Sequence, residues 1–238
     1  YDTSRDTSNS AIYQNPNPTQ FFDSVVAIPL DKNFDEIELA IYPIFVKSQN
    51  TLSFELYNED GICIEKSKQT VEFANGKNKF CYVKLMKTFS SSIVDIQRGM
   101  FRVIIDGNGK VPARMKFGLN FIKSNDNDSL PSNICFNAIV PNSKLLKKPG
   151  TFKWCTLFDC THQQIYLHNT SFIKKGCELS DVKIEVYRMS DDAVFNFSLQ
   201  IPINGTIEAL EKNRNKIHSF LNKDIGWISF QCSSPFVT

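Results

Sequence analysis

Cysteine and histidine are the residues of this chain with the greatest potential for metal or redox chemistry. Cys155, Cys160 and His162 lie closest together in the sequence. Zinc needs a fourth ligand and is usually bound through tighter paired spacings such as C-x-x-C, which does not occur here. We therefore expect neither a metal site nor a cofactor.

The seven cysteines are better explained as disulfide partners. They exceed what a typical cytosolic domain carries, and disulfides form in oxidising compartments. An odd number leaves at least one thiol free or paired outside the chain. We predict a disulfide between Cys63 and Cys81, because both lie in strand-like runs of the first half. The sequence leaves the other pairings open.

Four N-x-Ser/Thr sequons are candidate glycosylation sites: Asn127, Asn169, Asn196 and Asn204. Glycans at these positions would require surface exposure and a secretory route. Several sequons arise by chance in a chain this rich in Asn, Ser and Thr. Three of the four nevertheless lie in the half that holds five of the cysteines. The combination predicts an extracellular or cell- or virion-surface location.

Four aromatic residues are candidates for a binding surface: Trp154, Trp227, Tyr166 and Tyr187. Exposed tryptophan and tyrosine side chains carry many ligand and protein contacts. The competing interpretation, which we favour for the two tryptophans, is that they lie in hydrophobic cores.

Catalytic chemistry has little support in the sequence. No nucleophile elbow, zinc-protease helix, phosphate-binding loop or dinucleotide-binding fingerprint occurs, and the chain has three histidines. Glu55 and Glu185 occupy equivalent positions of two similar motifs, and we interpret them as solvent-facing strand residues. We expect no enzyme activity, with a sandwich or jelly-roll enzyme as an alternative.

The elements that position these side chains are predicted to be short β-strands. Apolar runs of four to eight residues, many of them alternating, are separated by turn signals such as Asn75-Gly76. In residues 52–57 Leu52, Phe54 and Leu56 share one face, which is typical of a half-buried strand. The pattern predicts an all-β fold of antiparallel β-sandwiches, of jelly-roll or immunoglobulin-like type. Residues 206–221 are the one fair helix candidate, with a loop containing one helical turn as the alternative.

An internal repeat predicts two such domains in tandem. The motif 52-LSFELY-57 precedes Gly99, and the similar motif 182-VKIEVY-187 precedes Gly226 at a similar distance along the chain. A length of 238 residues also suits two domains. The second copy ends where its last strand should begin, so we expect either that the parent chain is longer or that a neighbouring chain supplies the strand. The predicted regions are an extended polar arm at 1–20 and sandwiches at 21–127 and 128–238.

The first half also resembles known extracellular modules. An L-Y-x-x-D-G hairpin at Leu56–Gly61 is followed by a G-aromatic-x-V strand at Gly99 and Phe101. This stretch is similar to the β-sandwich modules that follow von Willebrand A domains in hemicentin-like proteins, and to bacterial pre-peptidase C-terminal domains. The resemblance implies a noncatalytic spacer or binding unit. Phe101 stands where such modules usually have tryptophan, and no von Willebrand A domain is present.

These observations predict a noncatalytic extracellular or surface module with a structural or adhesive role in protein–protein interaction. The alternatives are a carbohydrate-binding protein and a subunit of a virion or filament. The expected partners are proteins or other copies of the chain at an exposed sheet edge, and glycans. A net charge of +2 with scattered Lys and Arg argues against nucleic acid, and no apolar run is long enough to cross a membrane.

Overall fold

The computed structural model describes residues 24–41, 48–73, 81–106, 116–123, 132–133, 136–137, 150–158, 161–170, 179–234 and 237. The described residues are mostly β structure, arranged in several antiparallel sheets. The predominantly β character predicted from the alternating apolar runs is therefore confirmed. The predicted polar arm at 1–20 lies outside the described residues.

The chain divides into two compact units. The first comprises Tyr1–Tyr57 and Cys63–Pro141, and the second comprises Asn58–Ile62 and Asn142–Thr238. The main division thus falls after Pro141 rather than near residue 128. The reason is that two short strands that follow residue 128 pair with the strand Lys116–Ile122 and so lie with the first unit.

The first unit contains two sheets. One has the strand order β1-β6-β3-β4 and the other has the order β5-β2-β7-β8, with β9 also paired to β7. The elements are β1 (Ser24–Asp31), β2 (Glu36–Ile41), β3 (Ser48–Asn58), β4 (Cys63–Phe73), β5 (Cys81–Lys84), α1 (Leu85–Thr88), β6 (Arg98–Asp106), β7 (Lys116–Ile122), β8 (Ser132–Asn133) and β9 (Phe136–Asn137).

One hydrophobic core joins both sheets of the first unit. In β3 the predicted apolar face is realised, because Leu52, Phe54 and Leu56 are fully buried, but Glu55 and Tyr57 on the other face are buried as well, so the strand is not half-buried. They pack in the same cluster as Leu39 of β2 and Leu119 of β7. Burial of each such side chain stabilises the fold by about 1.5–3 kcal/mol relative to leaving it in water.

The second unit contains a four-stranded sheet with the order β10-β15-β12-β13 and a two-stranded sheet of β11 and β14. Its elements are β10 (Thr151–Leu157), β11 (Tyr166–His168), β12 (Leu179–Arg188), β13 (Val194–Pro202), β14 (Thr206–Glu208), a 3-10 turn (Glu211–Asn213), α2 (Arg214–Leu221) and β15 (Gly226–Cys232). Among the described residues no helix has the length and apolar character needed to cross a membrane.

The helix predicted over 206–221 is present only in its second half. Residues 214–221 form α2, and its apolar side chains Ile217 and Leu221 pack into the core of the second unit. Thr206–Glu208 instead forms β14, paired with β11. The buried Glu208 fixes this arrangement, because its carboxylate pairs with Arg214 at 2.7 Å and accepts the backbone N–H of Ile165.

The four-stranded sheets of the two units share their strand order, and their first two strands share a register. β1, β6, β3 and β4 of the first unit correspond to β10, β15, β12 and β13 of the second. In both sheets a leucine of the first strand lies opposite the glycine of the repeat motif, as Leu30 opposite Gly99 and Leu157 opposite Gly226. The similarity between the two sequence motifs therefore extends to the arrangement of the strands around them.

Candidate binding face

An aromatic surface covers the outer side of the four-stranded sheet in the second unit. In β12 the side chains of Val182, Ile184 and Val186 are buried in the core, so the intervening Lys183, Glu185 and Tyr187 point to the opposite side. Residues directly opposite one another on neighbouring strands share a face of the sheet. The register therefore assembles three rows, which we call the aromatic face: Trp154, Ser229, Glu185 and Asn196; Thr156, Trp227, Tyr187 and Val194; Phe152, Gln231, Lys183 and Ser198.

Both tryptophans of the chain lie on this face. Trp154 is 67% exposed and its neighbour Phe152 is 58% exposed. The rings of Tyr187 and Trp227 stack on adjacent strands, with centroids 3.9 Å apart and planes at 4°. The interpretation that the tryptophans are core residues is therefore wrong, because the even-numbered side chains of β10 and the odd-numbered side chains of β15 point away from the core.

Glu185 is held at the centre of the aromatic face by two donors. The Tyr187 hydroxyl donates to Oε2 at 2.8 Å, and Lys183 Nζ lies 2.7 Å from Oε1. The hydrogen bonds from Lys183 and Tyr187 lower the pKa of the Glu185 carboxyl, and the same contacts raise the pKa of Tyr187 and of Lys183. At neutral pH this set is a fixed carboxylate beside a neutral phenol and an ammonium group.

No family model matches this chain, and no match was found among the curated proteins or the solved structures. The resemblance to hemicentin-type modules stays a prediction, and the aromatic face has to be interpreted from its own geometry.

Three of the four predicted aromatic residues meet on the aromatic face, and the fourth does not. Tyr166 lies in β11, within the two-stranded sheet, and its hydroxyl donates to Gln164 Oε1 at 3.1 Å. Sequence reasoning missed Phe152 and Lys183. The alternation in β10 could have revealed Phe152, since it shares the parity of Trp154.

The first unit carries the same carboxylate–tyrosine pair in a buried setting. Tyr57 donates to Glu55 Oε2 at 2.8 Å and Lys66 Nζ lies 2.7 Å from Oε1, while Arg102 approaches Oε2 at 3.7 Å. Glu55 is 8% exposed and Tyr57 is 6% exposed. The prediction that Glu55 faces solvent is therefore wrong.

Electrostatics keep this buried carboxylate ionised. Burial alone would raise the pKa of Glu55. The hydrogen bonds from Lys66 and Tyr57 and the positive charge of Arg102 outweigh that effect, so the pKa is lowered. Burial and the bond to Glu55 in turn raise the pKa of Tyr57.

Three of the cysteines are free thiols in the structure. Cys63, Cys155 and Cys232 form no disulfide, so the predicted bond between Cys63 and Cys81 is not present. The two residues begin strands of different sheets. A strand-like run in the sequence does not reveal which sheet the strand joins. Burial raises the pKa of all three thiols, that of Cys232 to about 11, which disfavours the reactive thiolate.

The candidate zinc ligands do not form a site among the described residues. Cys155 is half-buried and His162 is exposed, while Cys160 lies outside the described part of the chain. Within that part no group of three or more His, Cys, Asp or Glu side chains could hold a metal ion.

The sequons differ in accessibility. Asn169 is 1% exposed, and its Nδ2 donates to the carbonyl of Ile201 at 3.1 Å, so it cannot carry a glycan in this fold. Asn204 is half-buried in a left-handed turn with φ of 56°. Asn196 is exposed on β13, and Asn127 lies outside the described residues.

Proposed function

We propose that this chain is a noncatalytic extracellular or surface protein of two β-sandwich domains in tandem, and that the aromatic face of its second unit binds carbohydrate. Support for the sandwich architecture is the single core shared by both sheets of the first unit. Support for a tandem arrangement is the common strand order of the two four-stranded sheets and the common register of their first two strands.

The observation that carries the binding proposal is the exposure of Trp154 and Phe152 on a sheet surface that also holds polar groups. Exposing a large aromatic side chain to water is unfavourable, because burying its apolar surface would stabilise the protein by about 25 cal/mol per Å². Monomeric proteins leave few such patches unless they are used. The stacked Tyr187 and Trp227 beside them form a rigid part of the same surface.

Sugar chemistry fits this mixture of aromatic and polar groups. One side of a pyranose ring presents C–H groups, which are attracted to the negative face of an aromatic ring. The hydroxyls around its rim need both donors and acceptors. Glu185, Lys183 and Gln231 supply both kinds of group between the aromatic residues.

The carboxylates of the aromatic face support binding rather than hydrolysis. Glycosidases use two carboxyl groups about 5–9.5 Å apart, one of them with a raised pKa. Among the described residues of these four strands the outward-facing carboxylates are Glu185 and Asp181. They are four residues apart on β12, which corresponds to about 13 Å of extended strand. The pKa of Glu185 is lowered rather than raised.

An affinity measurement with matched variants tests this proposal. The full chain is screened on a glycan array, and hits are titrated by tryptophan fluorescence and calorimetry. We expect Trp154→Ala to weaken binding about tenfold, since an aromatic contact contributes up to about 1.4 kcal/mol. Val94→Ala, which also truncates an exposed apolar side chain but in the first unit, is the control. A wild-type chain that retains no glycan, or an unaffected Trp154→Ala variant, overturns the proposal.

A protein partner is the second candidate, favoured by the position of Trp154 and Phe152 on β10. Among the described strands β10 stands at the end of its sheet, and such edges recruit further strands by β-augmentation. A second copy of the chain could act as that partner, as in a filament or virion. Concentration-dependent sedimentation that Trp154→Ala abolishes would favour this candidate over carbohydrate.

A further inference from the structure

Asn196 is the described sequon whose position suits modification of the folded chain. It is exposed on β13, and Ser198, which completes the sequon, is exposed on the same side of the strand. The buried Asn169 offers the opposite case, because its amide already donates to a carbonyl. The attachment point therefore lies within the central row of the aromatic face.

We propose that Asn196 is an N-glycosylation site and that its glycan covers the aromatic face. The donor is a lipid-linked oligosaccharide diphosphate. Asn196 Nδ2 loses one proton and bonds to C1 of the first sugar, while the bond from that carbon to the phosphate oxygen breaks and the lipid diphosphate leaves. The inference rests on the surface location proposed above and not on the identity of the ligand.

Strand geometry places the first sugars over the centre of the aromatic face. Asn196 lies directly opposite Glu185, a pair whose Cβ atoms are about 5 Å apart in antiparallel sheets. Tyr187 is its diagonal neighbour, at about 7–8 Å. Three strand spacings, about 14 Å in all, separate β13 from Trp154 on β10. A branched glycan of several sugars spans that distance.

The same aromatic residues that would bind an external sugar can thus contact the attached one. Aromatic surface that is costly to leave in water would be shielded by the glycan in the secreted chain. Binding of an external ligand would then depend on how far the glycan is trimmed or displaced. Occupancy of Asn196 would regulate the aromatic face without a change in fold.

Intrinsic fluorescence gives a direct test, because the chain has two tryptophans and both lie on the aromatic face. The full chain is secreted from a eukaryotic cell line as wild type, as Ser198→Ala and as Ser190→Ala. Ser198→Ala removes the sequon but keeps Asn196, and Ser190→Ala alters an exposed serine in the turn after β12. Peptide mass mapping then reports occupancy, and acrylamide quenching reports tryptophan accessibility.

We expect glycan on the Asn196 peptide in the wild type and in Ser190→Ala, its loss in Ser198→Ala, and a higher quenching constant in Ser198→Ala. An unmodified Asn196 in the secreted wild type overturns the proposal. A modified Asn196 with equal quenching in all three chains overturns the covering role. Neither readout uses a ligand, so failure here is distinct from failure of the carbohydrate proposal. Asn196→Gln serves as a second variant should Ser198→Ala fold poorly.

Discussion

Glu55 and Glu185 occupy equivalent positions in two sheets of the same strand order, and each accepts a hydrogen bond from the tyrosine two residues further along. Their surroundings differ. In the first unit Met100 stands where the second has Trp227, and Ala27 stands where the second has Trp154. Tyr57 and Met100 are buried, whereas Tyr187 and Trp227 are half-buried and Trp154 is exposed. The same local motif thus lies on a buried surface in the first unit and on an accessible surface in the second.

The largest expected effect is the loss of stability when a side chain is truncated in either hydrophobic core. Phe54 and Ile184 are equivalent residues of the two motifs and belong to different core clusters. Phe54→Ala should cost about 3–5 kcal/mol of unfolding free energy and Ile184→Ala about 2–5 kcal/mol, because each leaves a cavity in its own core. Urea denaturation followed by circular dichroism measures both, with the exposed Val94→Ala as control. Losses below about 1 kcal/mol would contradict the assignment of these residues to the cores.

Acid should weaken the second unit before the first. Burial lowers the pKa of His168 to about 4, and its Nδ1 lies 2.8 Å from Thr206 Oγ1. Between pH 6.5 and 4 the unfolded chain binds a proton at this residue that the folded chain does not. Stability of the second unit should therefore fall as the pH decreases through that range, by up to about 3 kcal/mol.

The first unit should also lose stability in acid, but at lower pH and through a carboxylate. The pKa of Glu55 is lowered, so its contribution is present above the unfolded value of 4.5 and is lost as the pH falls through the folded value. Denaturation at a series of pH values tests the order, with His168→Gln as the variant that should flatten the dependence between pH 6.5 and 4. An unchanged profile in that variant would assign the acid sensitivity to other groups.

A smaller effect should distinguish the two tyrosines. Tyr57→Phe removes a hydrogen bond to a buried carboxylate and should cost about 1.5–3 kcal/mol. Tyr187→Phe should cost less, because the Glu185 side chain is more accessible and water can replace the lost donor. Unfolding free energies of the two variants give the comparison. Equal losses would mean that the aromatic face is as well shielded as its counterpart.

The sequence predicts the strands that carry the two glutamate–tyrosine pairs, but not that one pair is buried and the other is accessible. Strand alternation and the spacing from Glu55 to Tyr57 are local, since residues two apart in a strand share a face. Whether that face is covered depends on contacts distant in sequence. Thr206–Glu208 was misinterpreted for the same reason, because its pairing with β11 and the contact of Glu208 with Arg214 are tertiary. The predicted pairing of Cys63 with Cys81 is likewise nonlocal, since two strand-like runs do not reveal which sheets they join.

The stacked rings of Tyr187 and Trp227 have a thermodynamic consequence for any ligand of the aromatic face. Association normally costs about 0.5–1.5 kcal/mol for each mobile side chain that must be ordered at an interface. Here the rings are already immobilised against each other, and both carboxylate oxygens of Glu185 are already engaged. Much of the conformational entropy has been lost on folding. A ligand would therefore meet a preorganised surface, which favours slow dissociation from a contact of modest area.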